Sequence, residues 1–233
     1  MKAVILAGGL GTRLKPFTDV IPKSLLPIGE KAVLEIQIER FKKYGFDEIY
    51  LATNFKSDYI EKFFGDGTRY DVRLYVSKEE KPLGTAGPLK LLSSKLTEPF
   101  MVMNGDILSA TDLSVLYSFA LSKQTLLTIS VKKIITPFAF SNIFFDGDYV
   151  TSIEEKPDIV TYALAGIYVM KPQILDLIPS DVYFGMDTLL KKMLESKIPI
   201  TKYELRDYWL DIGRIDDYEK AQEIYKIHFK KES

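Results

Sequence analysis

The chain of 233 residues has no cysteine, one tryptophan and one histidine. The absence of cysteine excludes a disulfide framework and thiolate-ligated zinc, and it is compatible with a reducing cytosol. Long apolar runs are missing too. No stretch approaches the ~18 residues of a membrane span, and the apolar start, Ala3 to Ala7, is shorter than the roughly 7–15 residues of a signal-peptide core. It reads instead as a first strand, and the expectation is a cytoplasmic protein. Neither charge sign dominates: 31 Lys plus Arg stand against 32 Asp plus Glu, a formal charge of -1. No nucleic acid and no membrane surface is therefore expected as a partner, and any anion site must be local. What is present is a hydrophobic content of 46%, ample for a core, in a length that suits one large α/β domain or two small ones.

The most informative stretch runs from Ile5 to Pro27. An apolar strand signal ends at Gly8-Gly9 and is followed by Gly11, a loop whose amides can approach an anion closely. Neither common phosphate template fits: the G-x-G-x-x-G reading fails at Leu14, and no Gly-Lys-Ser/Thr triplet follows. Arg13 stands just after the glycines and Lys23 ten residues on. A bidentate cation and a point-charge cation could thus meet one polyphosphate. On the glycines alone, a plain turn remains the alternative.

Along the chain, apolar residues at helical spacing predict a helix from Val33, with Gly45 as its C-cap. A strand over 47–52, a helix over Ser57–Phe64 and a strand over Val72–Val76 follow. This βα alternation implies a doubly wound, mostly parallel Rossmann-like sheet, which binds ligands outside the carboxyl ends of its strands. Glu79 to Pro88 is a strand-to-helix loop, with Gly84 and Gly87 permitting close approach and a helix expected over Leu89–Leu96. Pro99–Met103 is a strand ending in Asn104-Gly-Asp106, where a carboxylate faces the ligand crevice and could hold Mg²⁺ together with nucleotide phosphates. A helix over Ser109–Leu121 and strands over Leu126–Val131 and Phe140–Phe145 are expected. Asp146-Gly-Asp148 is a hairpin signal, so the second half gains antiparallel strands. Tyr162–Met170 is a strand interrupted by Gly166. Asp187 is the expected N-cap of a helix over Thr188–Ser196, a strand follows over Ile198–Tyr203, and a lysine-rich helix runs from Asp217 to Lys231 with His228 on its surface.

The segment around Arg13 resembles the signature of sugar-1-phosphate nucleotidylyltransferases, G-G-x-G-T-R-L-x-P-x-T followed by P-K-P-L-L-P. Here Ser24 replaces the usual proline and leaves Lys23 in place. The likeness runs from Lys2 to Ala221, and it implies a single domain over 1–233, with a nucleotide-binding half (1–108) and a sugar-phosphate-binding half (109–233) whose antiparallel strands form a small lobe. No hexapeptide repeats follow, so a C-terminal left-handed β-helix is not expected.

The likeness also implies roles. Leu6, Ala7, Gly8, Gly9, Gly11, Thr12 and Arg13 would bind the nucleotide, with Glu79, Gly84, Thr85, Asn104 and Asp106. Arg13 and Lys23 would be catalytic. Glu79 could accept from the guanine N1–H and N2–H₂ edge, which uracil and thymine do not offer, and Pro82 to Leu89 reads closest to mannose-1-phosphate guanylyltransferases. Glu155, Lys156 and Gly166 would contact the sugar phosphate, although Leu164 stands where an asparagine is usual. Tyr208 to Tyr218 resembles the W-x-D-I-G-T-P-x-D-Y element, making Asp211 the second Mg²⁺ ligand beside Asp106.

The implied reaction is in-line attack of a sugar 1-phosphate on the α-phosphorus of a nucleoside triphosphate, with pyrophosphate leaving. GTP and mannose 1-phosphate are the expected pair. Uridylyl or thymidylyl transfer to glucose 1-phosphate is the alternative, and a heptose-1-phosphate guanylyltransferase fits less well because its loop usually carries Gly-Thr-Gly-Gly. A non-catalytic nucleotide-sugar sensor stays open, as does a homo-oligomer.

Overall fold

The computed structural model describes residues 1–230. The chain opens with β1 (Lys2–Leu6), a loop carrying the short α1 (Phe17–Val20), the small hairpin of β2 (Pro27–Ile28) and β3 (Lys31–Ala32), and then α2 (Val33–Lys43). β4 (Glu48–Thr53), α3 (Ser57–Phe64), β5 (Arg73–Lys78), α4 (Gly87–Leu91) and β6 (Phe100–Asn104) continue the alternation. After β7 (Ile107–Ser109) and α5 (Leu113–Leu121) come the long β8 (Leu127–Pro137), the hairpin β9 (Asn142–Asp146) and β10 (Tyr149–Glu154), and β11 (Asp158–Met170). α6 (Met186–Glu195), β12 (Ile200–Glu204), β13 (Trp209–Asp211) and α7 (Ile215–His228) complete the fold.

Seven strands form one sheet in the order β12-β8-β11-β6-β1-β4-β5. Only β11 runs against its neighbours, so the sheet is mixed and mostly parallel. Period-2 alternation sends side chains of one strand to opposite layers. Ala3 and Ile5 join a core under α2, α3 and α5, while Val4 joins the opposite core under α4 and α6. A third apolar cluster joins Leu14 and Leu26, which flank the glycine loop, to Ile212 near the second aspartate and to Ala221 and Tyr225 of α7. It anchors the loop from beneath. From β1 the chain moves out to β4 and β5 and then crosses back to β6 on the other side, which leaves a topological switch point between β1 and β6.

Several boundaries differ from expectation. Ser109 ends a strand, Ile107–Ser109, rather than opening a helix, because that strand pairs with Trp209–Asp211. The helix begins at Leu113, where Asp112 accepts from the backbone N–H of Ser114 at 2.9 Å and Val115 at 3.2 Å. The helix expected over Leu89–Leu96 is only Gly87–Leu91, with Pro88 in its first turn. Asp187 lies within the first turn of α6, and the N-cap is Gly185. The C-cap of α2 is Tyr44, with Gly45 following at φ 82°. β8 and β11 run well beyond the expected spans, as an exposed two-stranded arm. The last helix ends at His228, and Lys231 lies outside the described residues. No helix among the described residues is long and apolar enough to cross a membrane.

Candidate active site

Register brings the site together. Leu6 pairs with Asn104 on one side and Ala52 on the other, and Thr53 pairs with Lys78. The glycine loop, Asn54, Glu79 and the Asn104–Asp106 turn therefore leave the sheet at one level. They enclose a crevice of about 420 Å³, lined from the first loop by Leu6, Gly8, Gly9, Gly11 and Thr12 and closed opposite by Glu79, Gly84, Thr85, Asn104 and Asp106. Ala7, Lys23 and Asp106 border a recess of about 30 Å³ beside it. A larger hollow of about 640 Å³ lies elsewhere, between α2 and Phe229, and is lined by none of the candidate nucleotide, sugar-phosphate or metal residues.

The first loop is rigidly folded. Gly11 sits at φ 62° with its carbonyl accepting from Leu14 N–H at 2.9 Å and Thr18 Oγ1 at 2.8 Å, and a Cβ there would meet Thr18 Cγ2 at 2.7 Å. Leu14 is fully buried while its neighbour Arg13 projects outward, its guanidinium lying 3.2 Å from where a Cβ of Gly213 would stand. Arg13 is thus directed at the segment carrying Asp211.

The two aspartates are adjacent. β7 and β13 pair with Ile107 opposite Asp211, and Ile212 N–H donates to the Asp106 carbonyl at 3.0 Å. Lys23 forms an ion pair with Asp106 Oδ2. Burial, reinforced by the Asp106 charge and opposed by Lys23 and Arg13, raises the Asp211 carboxyl above the usual range. Its Oδ1 is buried without a hydrogen-bond partner, as is Asn104 Oδ1. Orphan buried acceptors of this kind are expensive, and a divalent cation between the carboxylates would satisfy Asp211 Oδ1. Among the described residues no group of three or more His, Asp or Glu stands together as a metal cage.

Sequence reasoning missed Gln37. It is buried, and its Nε2 donates to the carbonyls of Asn104 at 2.9 Å and Ile107 at 2.8 Å, so α2 clamps the turn bearing Asp106. A polar residue on an otherwise apolar helix face was the available signal. Glu79 is half-buried: its Oε2 accepts from Leu83 N–H at 2.9 Å, and Oε1 turns toward Gly8. Burial raises its carboxyl despite that hydrogen bond.

The remaining candidates separate from the crevice to different degrees. Gly166 sits at a bulge of β11 against Asn104, where a Cβ would lie 2.8 Å from Asn104 Nδ2, so the close approach it permits is to the protein's own crevice floor. Glu155 and Lys156 are exposed beyond the end of β10, at the root of the β8–β11 arm's outer end, and border neither the crevice nor the recess. Glu155 there accepts from Ser141 Oγ.

A doubly wound sheet with a crevice at its switch point, a glycine loop on one wall, and Asp106 in its lining with Asp211 beside that residue defines a class of α/β nucleotide-handling enzymes. Residues 2–227 match the nucleotidyl transferase family, and the chain belongs to it. It is 34% identical over 246 residues to mannose-1-phosphate guanylyltransferase 1 of Arabidopsis thaliana, covering 100% of this chain and 67% of that protein. It is 32% identical over 241 residues to the UTP–glucose-1-phosphate uridylyltransferase of Synechocystis sp., covering 95% and 62%. The chain thus spans about two thirds of the length of these curated relatives. Among solved structures it is similar to HddC from Yersinia pseudotuberculosis complexed with GMP-PN, with 29% identity, a TM-score of 0.72 and coverage of 96% and 99%.

Proposed function

We propose that this nucleotidyl transferase joins the guanylyl group of GTP to mannose 1-phosphate, giving GDP-mannose and pyrophosphate. The observation that carries the reading is the common level at which the glycine loop, Glu79 and the Asn104–Asp106 turn leave the sheet, with Lys23 paired to Asp106 and Asp211 brought beside that turn by the β7–β13 pairing. A nucleoside triphosphate fits that arrangement with its base toward Glu79 and its phosphates across Gly8 to Thr12. The relatives that act on mannose 1-phosphate support the choice of substrates.

Both reactants are anions, so the protein's work is alignment and charge neutralisation. The attacking phosphate is already ionised and requires no general base. Arg13 would stabilise charge on the α-phosphoryl group and the leaving pyrophosphate. Lys23 would move from Asp106 onto phosphate. By resemblance, Glu155 would contact sugar hydroxyls and Lys156 the sugar-borne phosphate, while Gly166 would let β11 pack against Asn104 beside the hexose. Asp106 and Asp211 would hold Mg²⁺, which when bound neutralises phosphate oxygens and aligns them.

Uridylyl transfer to glucose 1-phosphate is the second reading, favoured by the similarity to the Synechocystis protein. A matrix of GTP, UTP, dTTP, ATP and CTP against mannose and glucose 1-phosphates, read by pyrophosphate release, separates them. The proposal expects GTP with mannose 1-phosphate to lead; a UTP–glucose 1-phosphate preference would replace it with the second reading.

A further inference from the structure

The crevice has a wall that comes from neither the glycine loop nor the Glu79 loop. Tyr183, about a hundred residues beyond the Glu79 loop and between Ile178 and α6, lines it together with Pro82 and Pro88. The residue is 73% exposed, it is the one aromatic side chain among the described residues that line the crevice, and its segment is fixed by backbone on both sides. Phe184 N–H donates to the Leu83 carbonyl at 2.8 Å, and the Phe184 carbonyl accepts from Ala86 at 3.0 Å and Gly87 at 2.9 Å. Met186 N–H donates to Thr85 Oγ1 at 2.7 Å, and Asp181 pairs with Lys81 at 2.9 Å.

Two glycines exist for this contact. At Gly84, φ is 82° and a Cβ would lie 2.8 Å from the Phe184 carbonyl oxygen; at Gly87 it would lie 3.2 Å from that of Val182. The close approach permitted by the Glu79 loop is therefore made by residues 182–185 of the same chain. The loop that reads the base edge and the segment carrying Tyr183 are one stitched unit.

An aromatic ring left in water at the mouth of a crevice gains nothing by burial in the free protein and much by covering a planar ligand. We infer that Tyr183 is a base-stacking residue: its ring forms the outer face of the nucleobase site, opposite the strand ends, while Glu79 addresses the base edge. This rests on the reading that the crevice takes a nucleotide. Stacking scales with the π surface presented, so the wall favours a purine over a pyrimidine, independently of the hydrogen bonds to Glu79. The phenol hydroxyl has no part in it, so phenylalanine should replace tyrosine and alanine should not.

The test is calorimetric titration of the full chain and its Tyr183→Phe and Tyr183→Ala variants with GDP, ADP and UDP in the presence of Mg²⁺. Alanine is expected to weaken GDP and ADP binding about tenfold or more, the range of a lost base–aromatic stack, and UDP by less. Phenylalanine should stay within about twofold of wild type, and in turnover assays alanine should raise KM for GTP with kcat nearly unchanged. Because the ring is exposed, neither variant should alter the melting temperature without ligand. Wild-type binding together with unchanged GDP affinity in the alanine variant would overturn the stacking role alone. Failure of the wild type to bind any of the three nucleotides would overturn the crevice reading itself, and the stacking role with it.

Discussion

At the scale of single residues, charge placement decides the chemistry. Arg13 is held outward by its buried neighbour Leu14, and Asp106 is fixed between Leu6, Gln37 and Ile212. Arg13→Ala and Asp106→Ala should each lower turnover by about 10²–10³, the range seen when one preorganised electrostatic group is lost, with near-wild-type far-UV circular dichroism. Near-normal pyrophosphate release by Asp106→Ala would remove that residue from the mechanism. Glu79 makes a pH-dependent prediction. Its carboxyl is raised by burial, so the folded protein favours its neutral form; that contribution to stability is complete below the ordinary carboxylate range and is lost as pH rises through the raised value. At neutral pH the buried charge is a cost, so Glu79→Gln should melt at an equal or higher temperature without ligand. In the proposed role of Glu79 as acceptor for guanine the ionised form would act, so KM for GTP should climb as pH falls, beginning above the usual glutamate range, and the glutamine variant should show a higher, pH-flat KM. A wild-type KM without pH dependence would separate Glu79 from the base. These residues were visible in sequence because each stands in a local motif. Gln37 and Tyr183 were not, since their partners are 67 or more positions away or in a segment without a recognisable pattern.

At the scale of elements, the crevice depends on who supports each loop. Gln37→Leu keeps the volume but strips two carbonyl partners from the Asn104–Ile107 turn. Loss of a buried hydrogen bond leaves each unpaired group costing roughly 1–3 kcal/mol, so chemical denaturation should show a loss of about 2 kcal/mol or more. Turnover should fall further than stability alone explains, because the turn carries Asp106. Gly84→Ala would force a Cβ against the Phe184 carbonyl in a left-handed backbone, and strain of that kind costs about 1–3 kcal/mol; its melting temperature should drop. An unchanged melting temperature would show that the 182–185 segment yields easily. Legibility follows the range of the interaction. α3 is read from its own apolar spacing, and the β9–β10 hairpin from Asp146-Gly147. β7 was hidden because Ile107 and Leu108 continue into a helix-compatible pattern, while the strand they pair with lies about a hundred residues later.

At the scale of the whole molecule, the fold explains why so dispersed a set of residues becomes one site. Six strands share a direction, and the reversal of winding at β1 opens a single crevice at their carboxyl ends. The α/β class and a ligand site at the carboxyl ends of the strands follow from βα alternation alone. The reversed β11, the β8–β11 arm and the β7–β13 pairing that unites the two aspartates needed coordinates, because they are long-range pairings that leave no local trace in composition. The most direct measurement is the fate of the phosphorus atoms of GTP: the full chain is incubated with mannose 1-phosphate, Mg²⁺ and GTP labelled either at the α or at the γ position, and the products are separated. Guanylyl transfer predicts α-label in GDP-mannose and γ-label in pyrophosphate, in equal amounts. Release of γ-label as orthophosphate, or α-label remaining in free guanine nucleotide, would contradict it.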